Sequence, residues 1–181
     1  MEHFKLDGCI NTFSGGKLNL IEPQVENINI FDVARGLAFK GHFAGQTPRF
    51  FSIAQHSLMV CDLMEEEHGD NPELMLTALL HDASEAYIGD MVKPLKVFLF
   101  KFQEVENKLQ DVIFETFNLD GSLMPTVKIY DKISQDVEYK AFYKREGDVE
   151  YLSPDESYRL FLDRYYKYLA MSLKEKYEAT L

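Results

Sequence analysis

The run Leu74-Met75-Leu76-Thr77-Ala78-Leu79-Leu80 leads straight into His81-Asp82-Ala83-Ser84-Glu85 and then Ala86-Tyr87-Ile88-Gly89-Asp90. Asn71 and Pro72 supply an N-cap and a first helical residue, and Gly89 a stop, so the spacing predicts one continuous helix between them. The interior of such a helix excludes charge, because an unpaired buried carboxylate costs more than it returns. An imidazole and two carboxylates within five residues therefore need a compensating charge, and a metal ion is the simplest. On a helix His81 and Glu85 share a face, and Asp82 and Glu85 lie one turn apart. His81 and Asp82 point about 100° apart and would meet one ion only from its side, so further ligands must come from elsewhere.

Two residues outside this stretch fit. His56 lies in Phe51-Ser52-Ile53-Ala54-Gln55-His56-Ser57, among apolar neighbours at helical spacing, and Asp131 lies in Val127-Lys128-Ile129-Tyr130-Asp131-Lys132-Ile133. A structural carboxylate is poorly placed in an apolar helical stripe, although Lys128 and Lys132 also offer Asp131 an ordinary surface ion pair. Two imidazoles and two carboxylates leaving open positions suit a catalytic divalent ion; Mn²⁺, Co²⁺, Fe²⁺, Ni²⁺, Mg²⁺ and Zn²⁺ all accept such a set.

Around these positions the chain reads as nearly all-α. Alternation from Ile10 to Leu20 across Ser14-Gly15-Gly16 predicts a short hairpin serving as a lid or cover. Asn29 caps a helix reaching Phe39, with Ile30, Val33, Ala34 and Leu37 on one stripe. A loop follows from Gly41 to Gln46, and Thr47-Pro48 then opens the helix that carries His56. Pro94 opens a long segment in which Leu95, Phe98, Leu99, Phe102, Val105, Leu109, Val112, Ile113 and Phe117 repeat at helical spacing. Another helix starts near Pro125 and runs past Ile129, Ile133 and Val137. Ser153-Pro154-Asp155-Glu156 is a capping box for the last.

At 181 residues the chain makes one domain, 1–181, with enough length for a sizeable core. A net charge of −11 argues against nucleic-acid polymers and anionic membranes, which need basic patches, while leaving room for a local basic pocket. Cys9 and Cys61 stand in unrelated contexts and read as reduced thiols. Met1 to Lys5 lacks the pattern of a signal peptide, and no apolar run reaches the ~20 residues of a membrane span. The expectation is a cytoplasmic protein, with aromatic-rich outer helices suited to a homodimer. His68 reads as a helix C-terminal residue that complements the dipole, and His3 as part of a loose terminus.

The ordered set His56, His81-Asp82 and Asp131 resembles the HD-domain metal-dependent phosphohydrolases, whose motif is a His, a His-Asp pair and a distant Asp around one divalent cation. His81 to Glu85, Gly89-Asp90, Pro94-Leu95-Lys96 and the Phe51 to Ser57 run resemble more narrowly the bacterial 5′-deoxynucleotidase (YfbR-like) branch; the likeness spans roughly residues 28 to 140. It implies an HD-domain helical bundle that hydrolyses a phosphoester of a small nucleotide, with His56, His81, Asp82 and Asp131 as metal ligands. Glu85 matches the position that handles the attacking water, and Asp90 one that assists at the leaving ester oxygen. Similar sequences carry an Arg followed by an aromatic about fourteen residues before the first ligand His, where this chain has His42-Phe43. His42 and Phe43 are thus the substrate-binding candidates there, with Arg49 or Lys96 able to supply the missing cation.

Within the enzyme class the rival is a deoxynucleoside triphosphohydrolase. Ala86 after Glu85 argues against guanosine polyphosphate hydrolases, which usually have Asp there. A non-catalytic metal-binding or interaction module is the alternative of a different class, against which the intact ligand set argues. A di-iron bundle would need paired Glu-x-x-His motifs, which the chain lacks.

Overall fold

Short polar side chains open most of the long helices by accepting free first-turn N–H groups, each worth about 1 kcal/mol. In a computed structural model of the chain, residues 8–180 are described; His3 lies outside them. Strands β1 (Cys9–Asn11) and β2 (Lys17–Asn19) pair antiparallel, with Ile10 opposite Leu18 and Gly15 at φ 87° in the turn. Helices α1 (Ile30–Ala38), α2 (Ile53–His68) and α3 (Pro72–Leu79) are capped by Asn29, Ser52 and Asn71. Two single-turn helices follow, α4 (Glu85–Ile88) and α5 (Lys93–Lys96), and then α6 (Phe100–Phe117) and α7 (Met124–Tyr139). A π-turn over Lys140–Lys144 ends with Arg145 in the left-handed region. The capping box of Ser153 and Glu156 opens α8 (Pro154–Glu178) as expected.

The all-α fold class holds, with a short two-stranded hairpin beside the helices. Helix α3 packs between α2 and α8, α1 lies on α8 and α4, and α7 runs along α2. Val33, Leu37, Val60, Met75, Leu79 and Phe161 are fully buried between them, each contributing about 1.5–3 kcal/mol relative to exposure. No helix among the described residues is long and apolar enough to cross a membrane. Tyr165 and Tyr168 belong to the core, and Tyr166 faces outward.

Several expectations give way. The hairpin forms but is tied down: Leu18 is buried in the core, and Ser14 donates through its N–H and hydroxyl to Asp32 on α1. Thr47-Pro48 does not begin α2. That helix starts at Ile53, because residues 40–42 and 51–53 pair antiparallel as extended backbone, Gly41 opposite Ser52, and Ser52 then takes the cap. The segment after Pro94 is two helices, not one, and Leu95, Val97, Phe98 and Phe100 at the break are exposed. On α7 the apolar stripe faces solvent, with Ile129 60%, Ile133 44% and Val137 40% exposed, while Val127, Asp131, Ser134 and Glu138 point inward.

Candidate metal centre

The expected continuous helix through His81 stops at Leu79. Leu80 leaves helical geometry (φ −103°, ψ 12°), and residues 80–84 continue as tight turns with i to i+3 bonds, such as Ala83 N–H to Leu80 O at 3.1 Å. The cause is a side chain. The Gln110 amide of α6 donates to Leu80 O at 2.8 Å and accepts from Ser84 N–H at 2.9 Å, taking both ends of the ladder bond that would continue the helix. Exchanging one backbone bond for two amide bonds is no loss in hydrogen bonding. Gly36 lets α1 close behind the turn, since a Cβ there would stand 2.3 Å from Ala86 O. Lys40 donates to the carbonyls of Glu85 (3.2 Å) and Ala86.

On a helix His81 and Asp82 would diverge; in the turn His81 Nε2 and Asp82 Oδ2 come to 3.1 Å. His56, from the first turn of α2, puts Nε2 3.1 Å from Asp131 Oδ1 and 4.0 Å from Asp82 Oδ2. His81 Nε2 lies 3.8 Å from Asp131 Oδ1. One donor atom from each of His56, His81, Asp82 and Asp131 thus falls within 4.8 Å of the other three.

These donors fit a divalent cation. His81 donates through Nδ1 to Ala78 O at 2.8 Å, leaving Nε2 aimed inward, and that buried nitrogen has no hydrogen-bond partner among the described residues. In the absence of a cation, opposing charges favour ionised carboxylates and protonated imidazoles. Against burial, which lowers both, Glu138 and Asp131 raise His56 to about 9, and Asp82 and Asp131 raise His81 to about 9. Against burial, which would raise them, His81 pulls Asp82 far below the carboxylate range, and His56 and His81 do the same to Asp131. A divalent ion bound there would replace the Nε2 protons and bring a comparable positive charge.

The HD-domain family model matches residues 41–176 of the 181. This chain belongs to the HD-domain family. An uncharacterized protein of Rhodobacter capsulatus is 34% identical over 153 residues, covering 78% of this chain and 78% of that protein. The uncharacterized protein YfdR of Escherichia coli is 30% identical over 171 residues, 86% of this chain and 93% of YfdR. HD domains bind divalent metals and are in general phosphohydrolases, so the coarse reading of the sequence stands: a metal-dependent hydrolase of the HD-domain family.

The HD-domain centre opens into a cleft of about 490 Å³. His42, Phe43, Glu85, Asp90 and Lys96 all line it together with Asp82 and Asp131. Glu85 is 8% exposed, and its Oε2 has no hydrogen-bond partner among the described residues. Burial, with Asp82 and Asp90 beside it, pushes Glu85 up to about 9. Lys96 is paired with Glu106. Arg49 lies elsewhere: its guanidinium sits 5.0 Å from the Tyr151 ring, lining a separate groove with Ser153 and Glu156.

His42 is not free to grip a phosphate. It is buried, with Nδ1 3.1 Å from Asp90 Oδ2 and Nε2 3.4 Å from Glu138 Oε2, and it stacks on His56 at 4.5 Å. Its loop is pinned by His42 N–H to Phe51 O at 2.8 Å, and Phe43 and Ala44 both take positive φ (52° and 51°). Two consecutive non-glycine residues there cost roughly 1–2 kcal/mol each, a strain set directly at the cleft.

Sequence reasoning missed five residues here. Lys93 donates to Gln135 at 2.7 Å, and Gln135 to Asp131 Oδ1 at 2.6 Å. Lys128 reaches Asp131 Oδ2 at 2.9 Å and Asp82 Oδ1 at 3.5 Å, so the lysine weighed as a surface partner of Asp131 is part of the centre. Gln110 breaks the helix. Glu138 bonds His56 Nδ1 at 2.7 Å. Its position seven residues after Asp131, on the same helical face, was the signal that could have found it.

Proposed function

We propose that this chain hydrolyses the phosphoester of a small nucleotide, with 5′-deoxynucleoside monophosphates as the leading substrate and water as the nucleophile. The observation that carries the reading is the convergence of His56, His81, Asp82 and Asp131 at the foot of a cleft ringed by Lys93, Lys96 and Lys128. In a chain of net charge −11, three ammonium groups around one cleft favour a phosphate as occupant. Phe43, Met91, Val92 and Pro94 give the same cleft an apolar wall suited to a sugar and base.

A divalent cation held by the four donors supplies Lewis acidity towards a phosphoryl oxygen and lowers the pKa of water. Glu85, buried one turn beyond the ligand pair with one carboxyl oxygen unpartnered among the described residues, orients that water and, once ionised beside the cation's charge, would take its proton. Asp90 is steadied by His42 and the Phe43 N–H and serves the leaving ester oxygen. The three lysines hold the remaining phosphate charge. They would suit a longer polyphosphate equally well, which makes a deoxynucleoside triphosphohydrolase the second reading.

A panel of nucleoside mono-, di- and triphosphates assayed with several divalent ions tests the proposal. Inorganic phosphate and nucleoside from a monophosphate is the expected outcome, and release of tripolyphosphate selects the second reading. Stoichiometric metal with no release from any nucleotide would leave a non-catalytic module. Glu85→Gln should keep the metal and lower kcat by roughly 10²- to 10⁴-fold.

A further inference from the structure

Glu138 is fully buried on the inward face of α7, two turns beyond Asp131. The helix therefore meets both nitrogens of one imidazole: Asp131 Oδ1 stands 3.1 Å from His56 Nε2, and Glu138 Oε1 stands 2.7 Å from His56 Nδ1. Ser134, one turn before Glu138, donates to the same Oε1 at 2.7 Å, and His42 Nε2 stands 3.4 Å from Oε2. A carboxylate with no exposed surface is costly unless its partners are fixed. Here Oε1 meets an imidazole that is a candidate metal ligand and a hydroxyl, while Oε2, without a hydrogen-bond partner among the described residues, faces the His42 ring at ion-pair distance.

We infer that Glu138 is a positioning residue, which pins the His56 proton on Nδ1 so that the Nε2 lone pair faces Asp82, Asp131 and a bound cation, with His42 bracing the carboxylate from behind. The inference rests on the single-cation reading of the centre. A neutral imidazole has one N–H and one lone pair, and an ionised carboxylate only accepts, so the 2.7 Å contact selects the tautomer. The two candidate imidazoles are then held in the same sense by different means. His81 gives its Nδ1 proton to the Ala78 carbonyl, and His56 gives its own to a buried charge.

The trio His42, His56 and Glu138 brings its own donor atoms within 4.8 Å and is the rival arrangement, a second cation site. That site would need His56 Nδ1 as a ligand while Nε2 serves the first, turning the ring into a bridging anion. The positioning role asks nothing of the kind.

The test is titration of the metal-stripped chain with Co²⁺ against a chromophoric chelator, for wild type and Glu138→Gln. The expected result is one Co²⁺ per chain in both, with affinity about 10- to 100-fold weaker in the variant, because its amide can present N–H to His56 and reverse the tautomer. Unchanged affinity overturns the inference, and so does a second equivalent in wild type that Glu138→Gln removes. Should the variant fail to fold, ¹⁵N chemical shifts of His56 in the Zn²⁺-loaded wild type decide: a protonated Nδ1 supports the role, and a metal-ligating or bare Nδ1 ends it. None of these readouts needs turnover. Full phosphate release with unchanged affinity in Glu138→Gln would remove only this inference, and normal affinities without release would remove only the hydrolase reading.

Discussion

The α3–α4 turn and helix α7 deliver carboxylates to one centre by opposite means. The turn abandons helical regularity, and with it the 100° between neighbours, so that His81 and Asp82, adjacent in sequence, reach the same point. Helix α7 keeps its regularity and spaces Asp131 and Glu138 by two turns, but its polarity is inverted, with Ile129, Ile133 and Val137 outside. A ligand pair close in sequence requires a broken element; a pair on an intact element requires helical spacing and a polar face turned towards the core. The first device needs a wedge, Gln110, and the second leaves apolar surface in water.

The largest effect should come from the turn's carboxylate. Asp82→Ala leaves His56, His81 and Asp131 one ligand short, and metal binding should be abolished in a chelator-competition titration; retention of wild-type affinity would exclude Asp82 as a ligand. Next comes pH, which acts on both regions together. His56 and His81 are raised from 6.5 to about 9, so their contribution to the stability of the metal-stripped chain is complete below pH 6.5 and is lost as pH rises through about 9. Glu85, raised from 4.5 to about 9, adds to that loss as ionising a buried group becomes costly. Glu138, lowered from 4.5 to about 2, contributes above pH 4.5 and loses its share as pH falls towards 2. Melting temperature without metal should therefore peak near pH 4.5, fall as Glu85 resists ionisation and fall more steeply from pH 6.5 towards 9, and a divalent ion should shrink the high-pH loss by replacing the Nε2 protons. A metal-stripped chain that grows more stable towards pH 9 would refute this charge arrangement.

A smaller effect separates the two devices. Gln110→Ala removes the wedge and frees Ser84 N–H to bond Leu80 O, which should splay His81 from Asp82 and weaken metal binding roughly tenfold, in line with loss of a supporting group. Affinity equal to wild type would mean that the turn holds without the amide. The smallest effect belongs to the outer stripe of α7. Ile129→Gln and Ile133→Gln should each change unfolding free energy by less than about 0.5 kcal/mol, whereas Val127→Ala on the buried face should cost roughly 1–3 kcal/mol. Denaturant melts of the three variants measure this, and equal costs would return the stripe to the core.

Much of the centre was legible from residue type alone. His56, His81, Asp82 and Asp131 stand out because imidazoles and carboxylates among apolar neighbours have few uncharged explanations. The caps at Asn29, Asn71 and Ser153 were equally plain, since each satisfies N–H groups a few residues away. Helix spans were less secure where the competing partner is distant. Nothing near Leu80 announces a break, because Gln110 lies on another helix. Periodicity also failed on α7 and after Pro94: it reports that apolar residues share a face, not which face the rest of the protein covers. Arg49 illustrates the same limit, being close in sequence to His42 and remote from the cleft.

Local chemistry therefore picked out the four candidate ligands, the helical class and most helix starts, because spacing and capping act within a few residues. Tertiary contact alone decided that His81 and Asp82 share a turn, that Glu138 backs His56, and that three lysines meet around one cleft. Each of those depends on atoms brought together from segments tens of residues apart, and no pattern within a single segment records such a meeting.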